Sequence, residues 1–178
     1  MPSQVRVFIA CSLDGFIAGP EDDLTWLPQP SEDDTDDGGF GAFFEGVGAL
    51  LMGRNTYRVA AGFPGEWPYQ DRPVLVATHH RLTPKVPTVL AVSGPIADLI
   101  EQARAAAGDR HVYLDGGLMI RQALEAGLVD LLTVTFVPVV LGSGAPLFAG
   151  MESQVRFERV ATRELAHGMV QVDLVPVR

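Results

Sequence analysis

Two short stretches deliver a β-type run into a helical one through glycine, which is how a chain presents a helix N-terminus to an anion. In Met52-Gly53-Arg54-Asn55-Thr56-Tyr57 the glycine permits close approach, first-turn N–H groups point outward, and Arg54 adds a fixed positive charge. In Asp115-Gly116-Gly117-Leu118 the backbone of Gly117 offers a diphosphate a surface free of side chains. Each stretch alone also reads as a glycine turn between strand and helix. Together, at the C-terminal ends of parallel strands, they mark where an open α/β sheet binds a nucleotide. Thr78-His79-His80-Arg81 brings a hydroxyl, imidazoles and a guanidinium together, a set suited to an extra ribose phosphate or to a polar surface turn.

Other residues bear on the reaction itself. Asp14 is the one early acid set beside an apolar strand, where it would orient a substrate hydroxyl or relay a proton; Asp14-Gly15 is equally a common tight-turn pair. Trp26 either stacks on a planar heterocycle or anchors its loop. The chain has no GKS or GKT phosphate loop and no G-x-G-x-x-G after a strand, and Leu141-Gly142-Ser143-Gly144-Ala145 lacks the spacing of a serine nucleophile. His79, His80, His111 and His167 are not at metal-ligand spacing and Cys11 has no partner, so no metal is expected.

Positioning these groups needs a core, and composition supplies one. The chain has 178 residues, 47% of them hydrophobic and 20% charged, enough for a single domain over residues 1–178. The net charge of -9, without a Lys/Arg cluster, argues against a nucleic-acid partner. No apolar stretch reaches the roughly 18 residues of a membrane span, and a lone cysteine fits a reducing cytoplasm. Much of the acidity lies in residues 21–37, within a segment, 19–41, that reads as a solvated loop and a lid over a site.

Short β-branched runs at residues 5–11, 49–52, 74–78, 88–92 and 112–115 alternate with helical patterns at 95–107 and 117–126. That alternation predicts a mainly parallel sheet with helices on its faces. The last third changes to long β-type stretches at 131–141, 155–165 and 169–177, the first interrupted at Pro138. In the third, Val170, Val172 and Leu174 alternate with Gln171 and Asp173, predicting an antiparallel strand with one wet face. The apolar 131–140 run predicts a sheet edge in need of covering.

These residues, in this order, resemble the dihydrofolate reductase-like fold, and within it the riboflavin-biosynthesis reductase domain. The resemblance spans essentially the whole chain and rests on residues 10–18 (ACSLDGFIA), 51–57 (LMGRNTY), 72–78 (RPVLVAT), 114–117 (LDGG) and 141–148 (LGSGAPLF). It implies a three-layer α/β/α fold with a mostly parallel mixed sheet and C-terminal antiparallel strands, a homodimer, and NADPH as reductant. Arg54, Asn55 and Thr56, after Gly53, match a phosphate-binding helix start. Thr78 and His79 match positions near the adenosine ribose, Gly116, Gly117 and Leu118 the diphosphate turn, and Ala10 and Ile17 the nicotinamide wall. Asp14, Gly142, Ser143, Gly144 and Phe148 match the border of the substrate pocket, to which the residue reading adds Trp26. The implied activity is hydride transfer to a heterocyclic or ribosylated pyrimidine-type substrate. Trp26-Leu27-Pro28 is followed by Gln29-Pro30-Ser31, a run unsuited to the buried acid-bearing helix of true dihydrofolate reductases. Dihydrofolate reduction and a non-catalytic NADP(H)-binding protein are the alternatives.

Overall fold

The computed structural model describes residues 3–28 and 37–178. The middle of the expected acidic loop, with the Gln29-Pro30-Ser31 run after Trp26, falls on residues 29–36 and lies outside the described residues. In chain order the strands are β1 (Val5–Ser12), β2 (Phe16–Ala18), β3 (Val47–Gly53), β4 (Val74–Ala77), β5 (Val89–Val92), β6 (His111–Asp115), β7 (Leu131–Val137), β8 (Ala145–Pro146), β9 (Phe157–Glu164) and β10 (Val170–Pro176). The α-helices are α1 (Phe40–Glu45), α2 (Arg54–Ala61), α3 (Ile96–Ala107) and α4 (Gly117–Glu125). Eight strands form one sheet in the order β5-β4-β3-β6-β1-β7-β10-β9, and β2 pairs with β8 apart from it. Neighbours from β5 to β7 run parallel, while β10 is antiparallel to both β7 and β9.

Side-chain parity sorts the strands between two cores, as a period of two requires. Val5, Val7, Ala49, Leu51, Val112 and Leu114 pack with Leu99, Ile100 and Ala103 of α3 and Ile120 and Ala123 of α4. Phe8, Leu50, Met52 and Tyr113 face the opposite way, toward Phe44 of α1 and Tyr57 and Ala60 of α2. The result is a three-layer α/β/α domain with a mixed, mostly parallel sheet. Val47 breaks the parity because the β3–β6 ladder shifts register between Val47 and Ala49. Gly48 sits at that bulge, and a Cβ there would collide with the Ala107 carbonyl.

Two expectations are corrected. The 131–140 run is no edge: β7 lies between β1 and β10, and the edge strands are β5 and β9. The wet face of β10 is covered as well. Gln171 is 1% exposed and its Nε2 donates to Thr135 Oγ1 (2.9 Å) and to the Gly38 carbonyl (3.0 Å), because the chain entering α1 lies over this side of the sheet. Val170, read as inward, is exposed. β7 does end at Val137, before Pro138, which cannot donate to a ladder.

Candidate functional site

The C-terminal ends of β3, β4, β5 and β6 and the middle of β1 open into a cleft of about 750 Å³. Ala10, Ile17, Gly53, Arg54, Asn55, Thr56, Thr78, His79, Gly116, Gly117 and Leu118 all line it. Helices α2 and α4 start there at Gly53 and Gly116, and neither start is capped by a side chain. First-turn N–H groups of both helices are therefore left to face an anion, with the positive ends of both dipoles behind them. The two starts touch. Gly116 has φ +92°, and a Cβ on it would run into Oγ1 of Thr56; one on Gly117 would meet the Pro146 carbonyl. Only glycine permits both the conformation and the approach. At the end of β4, Thr78 Oγ1 accepts the His80 N–H (3.0 Å) in a tight turn that leaves His79 and His80 exposed.

Two acids line the cleft, Asp22 and Asp115, and the second is a residue the sequence reading named only as the start of a turn. It ends the apolar β6, and its carboxylate oxygen accepts the Gly116 N–H at 2.7 Å. Burial pushes its pKa up to about 6, against the lowering effect of that hydrogen bond. Tyr69 and Tyr113, also in the lining, are pushed upward by burial and by the nearby Asp115 and stay protonated. The Tyr113 hydroxyl donates to the Phe8 carbonyl (2.9 Å), and the rings of Phe8, Phe43 and Tyr113 pack in series, at 4.9 Å and 5.0 Å between centroids.

The loop after β2 closes one side. Asp22 accepts hydrogen bonds from Asn55 Nδ2 (2.7 Å) and Arg58 Nη2 (2.9 Å), latching this loop to α2, and Leu24 and Leu27 add apolar lining. Trp26 is not among the lining residues; its indole N–H donates to the Asp23 carbonyl (3.1 Å), so it anchors the loop. Ser93 and Gly94 at the end of β5 and Phe63 beyond α2 also line the cleft without having been singled out.

The remaining substrate-side expectations land elsewhere. Asp14 is exposed outside the lining. Its carboxylate accepts hydrogen bonds from Ser12 Oγ (2.6 Å) and from the N–H groups of Leu141 (3.0 Å) and Gly142 (2.7 Å), stapling the β1–β2 turn to the loop before β8. The Ser12 hydroxyl, followed by those backbone donors, lowers its pKa to about 2. Asp14 is an anion held by the backbone, whereas the acid with the raised pKa, Asp115, lies in the cleft. Gly142, Ser143 and Gly144 are exposed, and Phe148 packs on the core; of this loop it is Ala145 and Pro146 that reach the cleft. They are held by β2 and by Arg121, whose Nη1 donates to the Pro146 carbonyl (2.6 Å).

The cleft thus sets two uncapped helix starts and a half-buried acid at the C-terminal edge of a parallel sheet. The RibD C-terminal domain family model matches residues 3–171, and the chain belongs to that family. A crystal structure of a protein assigned to riboflavin biosynthesis from Shewanella sp. PV-4 is 34% identical, covers 98% of this chain and 99% of its own, and superposes with a TM-score of 0.85. The diaminohydroxyphosphoribosylaminopyrimidine deaminase/5-amino-6-(5-phosphoribosylamino)uracil reductase of Thermotoga maritima shares the fold at 18% identity and TM-score 0.68, over 99% of this chain and 57% of its own. Dihydrofolate reductase from Enterococcus faecalis, complexed with NADP(H), shares it at 17% identity and TM-score 0.64, over 100% and 99%.

Proposed function

We propose that this protein is an NADPH-dependent reductase acting on a small heterocyclic or ribosylated pyrimidine-type substrate, related to 5-amino-6-(5-phosphoribosylamino)uracil reductase. One observation carries the reading: Asp115, protonated up to about pH 6, stands in the same cleft as the two uncapped helix starts. The donor set fits the cofactor. Arg54 and the first turn of α2, with Gly117 and Leu118 on α4, would hold its phosphates, and Thr78 and His79 would lie toward the adenosine ribose. When bound, the nicotinamide supplies the hydride. Ala10 and Ile17 give its ring an apolar wall, Leu24 and Leu27 exclude water, and Phe8 and Tyr113 hold a flat substrate against it. The Asp115 carboxyl then delivers a proton to the heteroatom that gains negative charge. A cytoplasmic setting, where NADPH is maintained, suits this chemistry and the free, buried Cys11.

The test follows NADPH binding and its oxidation against ribosylated pyrimidines, pterins and flavins. Oxidation with a pyrimidine-type acceptor is expected, with Arg54→Ala weakening NADPH binding by about tenfold or more, the scale of a charged phosphate contact. Oxidation with dihydrofolate alone would move the protein to the folate reductases. Binding without oxidation of any acceptor would leave a non-catalytic NADP(H)-binding protein.

We also propose that the protein forms a homodimer. Leu13, Val140 and Val170 support it: all three are exposed, and they cluster where the β1–β2 turn bonds Val139 and β10 begins opposite Phe136.

A further inference from the structure

The chain has three tyrosines, and the fold engages the hydroxyls of two of them. The Tyr57 hydroxyl accepts the Lys85 N–H (2.8 Å) and donates to the Thr83 carbonyl (3.4 Å), while that of Tyr113 donates to the Phe8 carbonyl. Tyr69 is different. The residue is 7% exposed, and its ring is fixed from behind, edge-on to Trp67 at 5.1 Å and 6.4 Å from the ring of Phe44. The Arg72 N–H donates to its carbonyl (3.2 Å), which holds the backbone of the loop between α2 and β4. Its hydroxyl hydrogen-bonds no other described residue, yet it is not sealed in, and the side chain lines the cleft with Phe8, Tyr113 and Asp115. Burial, and then the nearby Asp115, keep that hydroxyl protonated. An O–H shielded from bulk water without an acceptor carries a cost that a ligand can relieve.

We infer that Tyr69 is a substrate-contacting residue, its hydroxyl donating a hydrogen bond to a carbonyl oxygen on the edge of the bound heterocycle. A protonated phenol offers one donor, and the ring carbonyls of pyrimidine-type heterocycles are the matching acceptors. Because the ring is already fixed by Trp67 and Phe44, little side-chain freedom is lost when the contact forms. Phe8 and Tyr113 give a flat ring apolar surface; a directional bond from Tyr69 fixes its rotation in the plane and so which atom faces Asp115. The same bond confers selectivity. A ring with no oxygen at that edge leaves the hydroxyl unpaired, and a polar contact rejects such an analogue more sharply than an apolar wall rejects a small change in size. The inference rests on the reductase reading for what occupies this part of the cleft, and it adds a residue to which that reading gives no role.

The test is Tyr69→Phe, which keeps the ring and its aromatic neighbours and removes only the oxygen. Calorimetry with NADP+ present finds the tightest binder of the parent among 5-amino-6-(5-phosphoribosylamino)uracil, dihydrofolate and riboflavin, all of which carry ring carbonyls. Tyr69→Phe is expected to weaken that binding by about tenfold, the scale of one hydrogen bond, with NADP+ affinity and the thermal midpoint unchanged. In NADPH oxidation kcat should fall as KM rises, because a ring free to turn presents the wrong atom to Asp115. Unchanged binding overturns the inference, as does a loss confined to NADP+ affinity, or no binding of any of the three compounds by the parent. Weaker binding that comes with a lower thermal midpoint makes the hydroxyl structural and equally overturns it. Binding that depends on the hydroxyl but leads to no NADPH oxidation would leave the inference standing and remove the reductase reading. Oxidation with the same kcat and KM in both proteins would do the opposite.

Discussion

Burial keeps the Asp115 carboxyl protonated up to about pH 6, whereas its hydrogen bonds keep Asp14 ionised down to about pH 2. The two acids therefore answer to different experiments. With Asp115 as proton donor, activity is expected to fall as pH rises through about 6, and Asp115→Asn to lose that limb together with about a hundredfold in rate. Its raised pKa also means that ionisation costs stability, a cost that sets in as pH climbs from the ordinary carboxylate range through about 6. Asp115→Asn is thus expected to be more stable than the parent at pH 8, by about 1–3 kcal/mol in denaturant unfolding. Asp14 has the opposite sign: what its ionised form contributes is present above the ordinary carboxylate range and is lost as pH falls through about 2. Asp14→Asn should speed hydrogen exchange at the Leu141 and Gly142 amides while leaving the pH limb near 6 intact; loss of that limb would return the proton-donor role to Asp14. The sequence displayed Asp115 in plain view, yet it could not show that the end of an apolar strand would take the carboxyl out of water. That information is tertiary.

At the level of elements, α2 and α4 are set by the contact between Gly116 and Thr56. Gly116→Ala adds a methyl where φ is +92° and where Thr56 Oγ1 already stands, so about 1–3 kcal/mol of stability and most NADPH affinity should go together. Repeating the change in a Thr56→Ala background removes the collision but not the backbone strain, and should recover only part of the loss in thermal unfolding. Helices α3 and α4 and the parallel strands were legible because their periodicity repeats over many residues, and because glycine punctuates their ends. Helix α1 was not. Its six residues make less than two turns, and Phe40 and Phe43 gain their meaning from Phe8 and Tyr113, and Phe44 from Tyr69 and Arg72, all distant in sequence. β8, at two residues, carries no pattern. Gln171 misled because alternation reports polarity, while cover over β10 comes from residues before α1.

Across the whole molecule, the sheet presents β5 and β9 at its edges, and Glu158, Arg159, Arg163 and Glu164 give β9 the charge that discourages strand pairing. A second copy is therefore expected at Leu13, Val140 and Val170, with light scattering giving twice 19.1 kDa and Val140→Asp restoring the single mass; a mass of 19.1 kDa for the parent would refute the dimer. The entrance of the cleft behaves differently from the sheet behind it. The latch between Asp22 and Arg58 leaves 72% of the Arg58 side chain open to water. Dissolved ions screen such a pair over about 8 Å at physiological ionic strength, and they weaken the grip of Arg54 on a phosphate in the same direction. Ionic strength is thus expected to act on two contacts of α2 at once: in dilute buffer the loop is fastened while the proposed phosphate contact is strong, and in brine both should loosen together.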